Sequence, residues 1–406
     1  MTGPSRGDDP PIPPARPGRV VVAGAGLAGL RTIEELRGRG YDGAITLVGA
    51  ESRLPYDRPP LSKKLMIGAL DDTTLRTELA SLDVEVRLGE RATGVADGRL
   101  TTDRDAHSFD ILVLATGATP VTLPGEGRQH VLRTVDDALE LRKLLAPGTS
   151  LAIVGAGWIG AELATAAVHL GCRVTVLEAG QVPVAAAVGP EVGAATIPWY
   201  AAAGVDLRLG QGVASVEPGG LALADGEWLP ADAVVTAIGV RPTVGWLEGS
   251  GIELDNGVAV DSQLRTSVPG VYAVGDCAAF WSGRYGRRLR FEHWDVALHA
   301  PTVAAANITG GDEAYDPVPY FWSEQFGRMI QYVGYHGAAD RLVWRGDPAA
   351  QKWAVAWLAA DRLVALLTVS LPRDLLQGRR VIESGAPVDA ARLADPAVAV
   401  RDTVAA

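Results

Sequence analysis

Two glycine triplets are the residues whose types and spacing most directly predict chemistry. Each has the spacing GxGxxG and follows a short apolar run. The residues are Gly24, Gly26 and Gly29 and, about 130 residues further on, Gly155, Gly157 and Gly160. In such a triplet the first glycine permits a tight turn, the second lets the backbone approach a pyrophosphate, and the third lets a helix pack closely on a strand. The spacing therefore predicts two dinucleotide-binding sites in one chain.

The elements that must position these glycines are predicted around both triplets. The apolar run Val20–Ala23 precedes the first triplet, and helix-period apolar residues and a second strand, Ala44–Val48, follow it. The second triplet repeats this order, and Glu178 ends its second strand. A helix N-terminus at each triplet offers free N–H groups to phosphates. Two dinucleotides in one chain suit electron transfer between a resident cofactor and an exchanging one.

Further apolar segments repeat in the same order. Phe109–Pro120 and Ala231–Pro242 each predict a strand that ends in a small-residue turn, where each dinucleotide domain should end. Gly270–Ala278 then places Asp276 at the end of another strand, where a carboxylate can accept a hydrogen bond from a cofactor hydroxyl. A helix-capping role is the alternative for Asp276.

Composition and charge exclude several classes of protein. The chain has 406 residues, is 48% hydrophobic and carries a net charge of −11, which disfavours nucleic acids and anionic membranes as partners. No apolar run approaches the roughly 20 residues of a spanning helix. Residues 1–17 lack the apolar run of a signal peptide and predict a flexible tail. We expect a cytoplasmic protein.

The two cysteines, Cys172 and Cys277, lie far apart and form no CxxC pair. Two thiols cannot hold an iron–sulfur cluster, which usually takes about four. Both are expected to be small buried residues. Any redox chemistry must therefore come from a bound organic cofactor.

Six further segments carry a resemblance to a known family. They are LPYDRPPLSK (54–63), VLATGATP, GAGWIGAE, VYAVGDCA, FEHWDVA (291–297) and FWSEQFGRMIQYVG (321–334). With the first glycine triplet they resemble, in order, the ferredoxin reductase family (putidaredoxin reductase-like and dioxygenase ferredoxin reductase-like) of the FAD-dependent pyridine nucleotide-disulfide oxidoreductase superfamily.

The resemblance implies an α/β protein with two Rossmann-like domains of the glutathione reductase type and a smaller C-terminal α/β domain. A discontinuous FAD domain would span residues 18–119 and 243–320. An NAD domain would span 120–242, and a C-terminal reductase domain 321–406.

The resemblance also implies cofactor contacts. For FAD these are Gly24, Gly26, Leu27, Ala28, Gly29, Glu51, Arg58, Lys63, Ala92, Ala115, Thr116, Gly117, Arg133, Gly275, Asp276, Glu292, His293, Trp294 and Trp322. For NAD they are Gly155, Gly157, Trp158, Ile159, Gly160, Glu162, Glu178 and Gly239. Arg58 and Arg133 would face the pyrophosphate, Asp276 the ribityl chain, and Trp294 the isoalloxazine ring.

Lys63 and Glu162 are the pair that the resemblance implies beside the flavin N5. A cation there favours the reduced flavin, and the glutamate would keep the lysine charged. An ordinary ion pair at a domain junction is an equally good interpretation of these two residues.

The coenzyme is predicted from Glu178. A carboxylate at the end of this strand bonds the ribose 2′-hydroxyl and repels a 2′-phosphate, and residues 179–183 contain no Lys or Arg. We therefore expect NADH rather than NADPH. Three departures from the family pattern, Ala50, Val296 and Ala300, are expected to adjoin the flavin.

The electron acceptor is predicted partly by exclusion. Residues 49–70 contain no cysteine, so a thiol relay is not expected, and an iron–sulfur ferredoxin serving a haem monooxygenase or ring-hydroxylating dioxygenase is implied. The densest basic run is Arg284, Arg287, Arg288 and Arg290. It would either bind the ferredoxin or belong to a hairpin that only solvent covers. The alternatives are an NADH oxidase or quinone reductase, a rubredoxin reductase, and an NADH-sensing flavoprotein like apoptosis-inducing factor. The protein would be a monomer or a homodimer.

Overall fold

Strands and helices alternate along most of this chain, whose computed structural model describes residues 18–405; the predicted tail, 1–17, lies outside the described residues. The strands are β1 (Arg19–Ala23), β2 (Ala44–Gly49), β3 (Val84–Leu88), β4 (Ala92–Ala96), β5 (Arg99–Thr102), β6 (Ala106–Ser108), β7 (Ile111–Leu114), β8 (Ala118–Pro120), β9 (Ser150–Val154), β10 (Arg173–Glu178), β11 (Asp206–Leu209), β12 (Val213–Glu217), β13 (Gly220–Leu223), β14 (Trp228–Pro230), β15 (Ala233–Thr236), β16 (Val240–Pro242), β17 (Val258–Val260), β18 (Val271–Ala273), β19 (Ala278–Ser282), β20 (Arg287–Leu289), β21 (Tyr320–Gln325), β22 (Arg328–Gly334), β23 (Arg341–Arg345), β24 (Trp353–Ala359) and β25 (Arg362–Val369).

The helices connect these strands or pack on their sheets. They are α1 (Leu27–Gly38), α2 (Val135–Leu144), α3 (Trp158–His169), α4 (Ala185–Val188), α5 (Pro190–Ala194), α6 (Ile197–Ala202), α7 (Trp294–Ile308), α8 (Pro372–Ser384) and α9 (Ala390–Ala394), with 3₁₀ turns at Pro59–Ser62, Leu79–Leu82, Gly245–Leu247, Gly275–Cys277 and Val400–Thr403. The predicted α/β class is confirmed. Among residues 18–405, no helix is long and apolar enough to cross a membrane.

The first unit is built on a parallel sheet with the order β18-β7-β1-β2-β3. Its central strand β1 is almost wholly apolar, and Val20, Val21 and Val22 are completely buried, because neighbouring strands flank β1 and both α1 and β6 pack against it. On α1, Leu30, Ile33 and Leu36 recur at helical spacing and pack into the same core. Strand β18 reaches this sheet only after the chain has passed through the second unit.

The second unit repeats the plan with a parallel sheet of order β11-β10-β9-β15. The chain leaves the first unit through β8 and returns through β16, and these two strands pair antiparallel, with Pro120 opposite Val240. This pairing supports the predicted domain limits near residues 119 and 243, which stay a prediction.

The C-terminal part is an antiparallel sheet with the order β21-β22-β25-β24-β23. Because side chains alternate along a strand, Leu366 packs on one face with α8, and Leu367 on the other with Val188 and Trp199 of the second unit. One face of this sheet therefore belongs to the contact between the C-terminal part and the second unit.

Candidate active site

A cavity of about 1850 Å³ lies where the three parts of the chain meet. Both glycine loops line it, and so do β21, the end of β22 and the start of α7. Pockets for drug-sized ligands are commonly about 300 to 1,000 Å³. The cleft is therefore large enough for more than one extended ligand.

The glycines shape this cleft in the way the spacing predicts. Gly24 and Gly155 have φ of +125° and +104°, and a Cβ atom on either would meet the backbone of Ala115 or Ala237. Gly26 is different, because a Cβ there would meet nothing within 4 Å. The open space above Gly26 belongs to the cleft, as a pyrophosphate approach requires.

Gly157 repeats the geometry of Gly26 at the N-terminus of α3, because a Cβ atom on Gly157 would also meet nothing within 4 Å. Neither α1 nor α3 has an acidic residue in its first turn. Their positive dipole ends are thus left for anionic groups in the cleft.

Most of the predicted contacts line this one cavity. They are Gly24, Gly26, Leu27, Ala28, Glu51, Arg58, Lys63, Ala92, Ala115, Thr116, Gly117, Arg133, Gly275, Asp276, Glu292, His293, Trp294 and Trp322 for FAD, and Gly155, Gly157, Trp158, Ile159, Glu162, Glu178 and Gly239 for NAD. Gly29 and Gly160 do not line it. A Cβ on either would strike the carbonyl group of Gly24 or Gly155, so their role is close helix packing.

Lys63 and Glu162 form an ion pair at the junction of the units, with Nζ 2.6 Å from Oε2. The same oxygen accepts a hydrogen bond from Ser62 Oγ at 2.5 Å. The other oxygen accepts from Ser323 Oγ at 2.7 Å and from the Glu324 N–H at 3.3 Å. Glu162 is only 4% exposed, so these donors replace the water that a buried carboxylate loses.

Two predicted cofactor cations are paired with predicted cofactor acids. Arg58 Nη2 lies 2.7 Å from Glu51 Oε1, and Arg133 Nη2 lies 2.6 Å from Asp276 Oδ2. Tyr56 donates to Glu51 at 2.6 Å. Each pair lines the cleft, so each has groups that a ligand can reach.

Aromatic side chains cover the end of the cleft near α7. Trp294 Nε1 donates to Asp57 Oδ1 at 2.7 Å, and its ring packs edge-on against Trp322. Burial raises the pKa of Asp57, and the hydrogen bond from Trp294 opposes that rise. His293 stacks on Phe291, and burial lowers the pKa of His293 to about 4. This imidazole is therefore neutral at physiological pH.

Glu178 ends β10 at the cleft, where its predicted role places it. Its two oxygens accept backbone hydrogen bonds from Ala156 at 2.9 Å and Gly180 at 2.8 Å. Each carboxylate oxygen has further acceptor capacity. The side chain is thus held in one orientation while it can still accept a ligand hydroxyl.

The predicted patch of four arginines is only partly a free surface. Arg288 donates to the carbonyl groups of Val260 and Ala279, and Arg290 is 10% exposed and pairs with Glu292. These two guanidinium groups are thus used within the fold, by hydrogen bonds to backbone carbonyl groups and by an ion pair. The exposed members of the run are Arg284 and Arg287.

Three smaller predictions also need correction. Cys277 is buried as predicted, but Cys172 is only partly buried, because it precedes β10 at the surface end of the strand. Ala50 lines the cleft, whereas Val296 and Ala300 do not. Both point from α7 into the hydrophobic core, so they do not adjoin the cleft as expected.

Several residues that hold the site together are not predicted from the sequence: Tyr56, Asp57, Ser62, Ser323 and Gln325. Ser323 and Gln325 are 0% and 1% exposed on β21. Their signal was the pattern FWSEQ, in which three consecutive polar residues follow the aromatic ones, so that strand alternation places Ser323 and Gln325 on one face and Glu324 on the other. Such residues are satisfied by specific partners when buried.

Comparison with known proteins identifies the family. Residues 18–300 match the pyridine nucleotide-disulphide oxidoreductase family, and residues 320–404 match the reductase C-terminal domain. The chain belongs to the pyridine nucleotide-disulphide oxidoreductase family. It is an oxidoreductase, and the ferredoxin reductase resemblance is confirmed.

Three relatives extend the match over nearly the whole chain. The ferredoxin–NAD(+) reductase component of the anthranilate 1,2-dioxygenase system of Burkholderia cepacia is 37% identical over 399 residues, which cover 94% of this chain and 98% of that protein. The crystal structure of Fdr9 superposes with a TM-score of 0.91 at 50% identity, covering 94% and 99%. The covalent putidaredoxin reductase–putidaredoxin complex also gives 0.91, at 32% identity, covering 95% and 98%.

The cofactors of the family, FAD and NAD(H), fit the residues of this cleft. Two helix N-termini without first-turn acids face it, and the two glycines that reach it leave open space for a pyrophosphate. The Nδ1 atom of His293 is buried without a hydrogen-bond partner among residues 18–405. A polar ligand atom in the cleft would satisfy it.

Proposed function

We propose that this chain is an NADH-dependent ferredoxin reductase, which takes a hydride from NADH and delivers single electrons to an iron–sulfur ferredoxin that serves an oxygenase. The observation that carries the proposal is the single cleft into which both glycine loops open, with Lys63 and Glu162 where the units meet. Relatives named as ferredoxin–NAD(+) reductase components support it. The cytoplasmic location expected from the sequence is part of the proposal.

The residues of the cleft would have different roles in binding the flavin and in positioning charge beside it. A bound flavin supplies the conversion of a two-electron donor into single electrons. Lys63 would hold a positive charge beside the ring, and Glu162 would keep that charge in place through the 2.6 Å ion pair. Arg58 and Arg133 would face the phosphates, and Trp294 and Trp322 would enclose the ring.

The acceptor is proposed to be a protein rather than a thiol, since no cysteine lines the cleft in the part of the chain that the structure describes. The putidaredoxin reductase relative is seen in a covalent complex with putidaredoxin. Arg287 lies over the ring of Tyr335, 5.4 Å from its centroid, and Tyr335 lines the cleft. We propose that Arg284 and Arg287 contact the acidic surface of the ferredoxin beside this opening.

The acceptor is tested by measuring NADH-dependent reduction of cytochrome c through a panel of two-iron ferredoxins, with quinones, rubredoxin and oxygen in parallel. We expect the highest kcat/KM with a ferredoxin. Faster turnover with a quinone or with oxygen would contradict the proposal.

The role of Lys63 is tested separately, by stopped-flow reduction of the flavin with NADH in the absence of any acceptor. We expect Lys63→Ala to slow this step about tenfold or more, because a charge-assisted contact is worth about 1.5–3 kcal/mol. The exposed Lys64→Ala is the control for loss of charge in the same loop. An unchanged rate in Lys63→Ala would reduce the ion pair to a domain contact.

A further inference from the structure

The carboxylate of Glu162 is held from two sides by different parts of the chain. Lys63 and Ser62 reach Oε2 from the loop after β2, and Ser323 and the Glu324 N–H reach Oε1 from β21. Since α3 supplies Glu162 itself, all three parts of the chain meet at this one group. The C-terminal sheet is thus in direct contact with the ion pair at the cleft.

A second buried side chain fixes the direction of the contact from β21. Gln325 Nε2 lies 3.1 Å from Ser323 Oγ. An amide nitrogen only donates, so Ser323 accepts this hydrogen bond, and its single proton is left to donate to Glu162 Oε1 at 2.7 Å. Donation therefore runs from Gln325 to Ser323 and then to Glu162.

We propose that Ser323 and Gln325 are positioning residues for hydride transfer, acting through Glu162 on Lys63. The inference rests on the proposed function and deepens it. Neither side chain lines the cleft, so neither reaches a ligand. They hold the carboxylate that in turn holds the Lys63 ammonium.

Without the Ser323 hydroxyl, Glu162 Oε1 loses the shorter of its two hydrogen bonds. Its remaining donor is the Glu324 N–H, whose 3.3 Å bond is long. A buried carboxylate with an empty oxygen turns toward other donors, and Lys63 follows because its Nζ is bonded to the same group. The Lys63 ammonium then moves away from its position beside the cleft, while the positions of the NAD-facing residues Gly157 and Glu178 do not change.

The test compares Ser323→Ala with the wild-type holoenzyme in anaerobic stopped flow, with NADH alone. We expect the limiting rate of flavin reduction to fall about tenfold, as loss of a hydrogen bond to a charged group predicts, with half-saturating NADH changed less than twofold. The visible spectrum of the oxidised flavin should shift as well, because a charge beside the ring has moved. Ser323→Thr, which keeps the hydroxyl, should restore both toward wild type.

Two further variants complete the test, one with a smaller expected effect and one as a control. Gln325→Met leaves Ser323 in place but frees its hydroxyl to turn, so a smaller loss of about threefold is expected. Thr368→Val is the matched control: Thr368 is fully buried on β25 of the same sheet, and its hydroxyl has no hydrogen-bond partner among residues 18–405. It should match wild type.

Two outcomes would overturn the inference. A folded, FAD-loaded Ser323→Ala with a limiting rate and spectrum within twofold of wild type is one. An equal loss in Thr368→Val is another, since it would mean that any change in the sheet slows the reaction. Because no ferredoxin is present, these results are independent of whether the proposed acceptor is correct.

Discussion

At the scale of single residues, six of the charged side chains that line the cleft are held in three ion pairs. Arg58 pairs with Glu51, and Arg133 with Asp276, as Lys63 does with Glu162. Pairing holds each group in one orientation before a ligand arrives, which reduces the ordering that binding requires. It also makes each charge dependent on its partner, so a change in one residue is expected to act on two.

Glu178 should control the choice of nicotinamide. We expect Glu178→Ala to lower kcat/KM for NADH about tenfold, because the ribose hydroxyl loses a charged acceptor. The ratio of kcat/KM for NADH to that for NADPH should fall further, since the repulsion of a 2′-phosphate also disappears. Glu191→Ala, on the exposed start of α5, is the control for charge. A wild-type enzyme that favours NADPH would contradict the assignment.

His293 should make the stability of the apoprotein depend on pH. Its pKa is lowered to about 4 by burial, whereas histidine in an unfolded chain titrates near ~6.5. Between these values the unfolded state binds a proton that the folded state does not, so the free energy of unfolding falls as pH falls. From pH 7 to 5, His293→Gln should lose about 1–2 kcal/mol less than wild type.

Urea unfolding of the apoprotein at both pH values measures this difference. His169→Gln is the control, because His169 is exposed on α3 and water solvates its ring in both states. Equal pH dependence in wild type and His293→Gln would show that the ring is not desolvated.

The pairing of residues is what the sequence predicted least well. Glu51, Arg58, Arg133 and Asp276 were expected as separate cofactor contacts, and their contacts with each other depend on packing between distant segments. Ser323 meets Glu162 across 161 positions, a distance that no local pattern reports. Local chemistry was predicted better, because the spacing that makes a glycine turn is complete within six residues.

At the scale of elements, three glycines in or next to α1 have three different roles. Gly29→Ala should destabilise the protein strongly, since its Cβ would strike the Gly24 carbonyl group and push α1 off β1. Gly26→Ala should fold normally but bind FAD weakly, because its Cβ would project only into cleft space. Gly38→Ala, at the end of the same helix, should stabilise by about 0.4–1 kcal/mol.

Thermal unfolding of the apoproteins and FAD titration together distinguish these three variants. Tight FAD binding by Gly26→Ala would mean that the pyrophosphate does not pass over this turn. A stable, FAD-binding Gly29→Ala would contradict close packing of α1 on β1.

The bounds of an element can be predicted from the sequence where the local pattern is strong. Strands β1 and β2 begin and end within one residue of the predicted segments, because glycines and apolar runs define them. In contrast, Arg288 and Arg290 belong to a basic run in which the sequence alone predicts every arginine to be exposed. Which arginine is used within the fold depends on partners that the run does not contain, such as the Val260 and Ala279 carbonyl groups that bind Arg288.

At the scale of the whole molecule, a net charge of −11 must be reconciled with the acidic ferredoxin that we propose as the partner. Long-range repulsion between the two proteins is screened beyond about 8–10 Å at physiological salt, so a local basic contact decides docking. We expect Arg284→Glu with Arg287→Glu to raise KM for ferredoxin and to flatten its dependence on salt. Reduction of a small dye should be unaffected.

Arg99→Glu with Arg173→Glu, two exposed arginines on β5 and β10, is the control with the same change of charge. An equal rise in KM for this control would mean that only total charge matters. The proposed contact would then be wrong.

The pairing of β8 with β16 has a consequence for how coenzyme preference can be changed. Because the chain departs and returns on adjacent strands, the two covalent connections of the segment between them lie side by side. A relative's segment could therefore be grafted between these strands at one pair of junctions, if its residues at Val188 and Trp199 still pack on the C-terminal sheet. Such a chimera would inherit the donor's coenzyme and keep the host's flavin pocket, provided that Glu162 or its equivalent still meets Lys63 and Ser323.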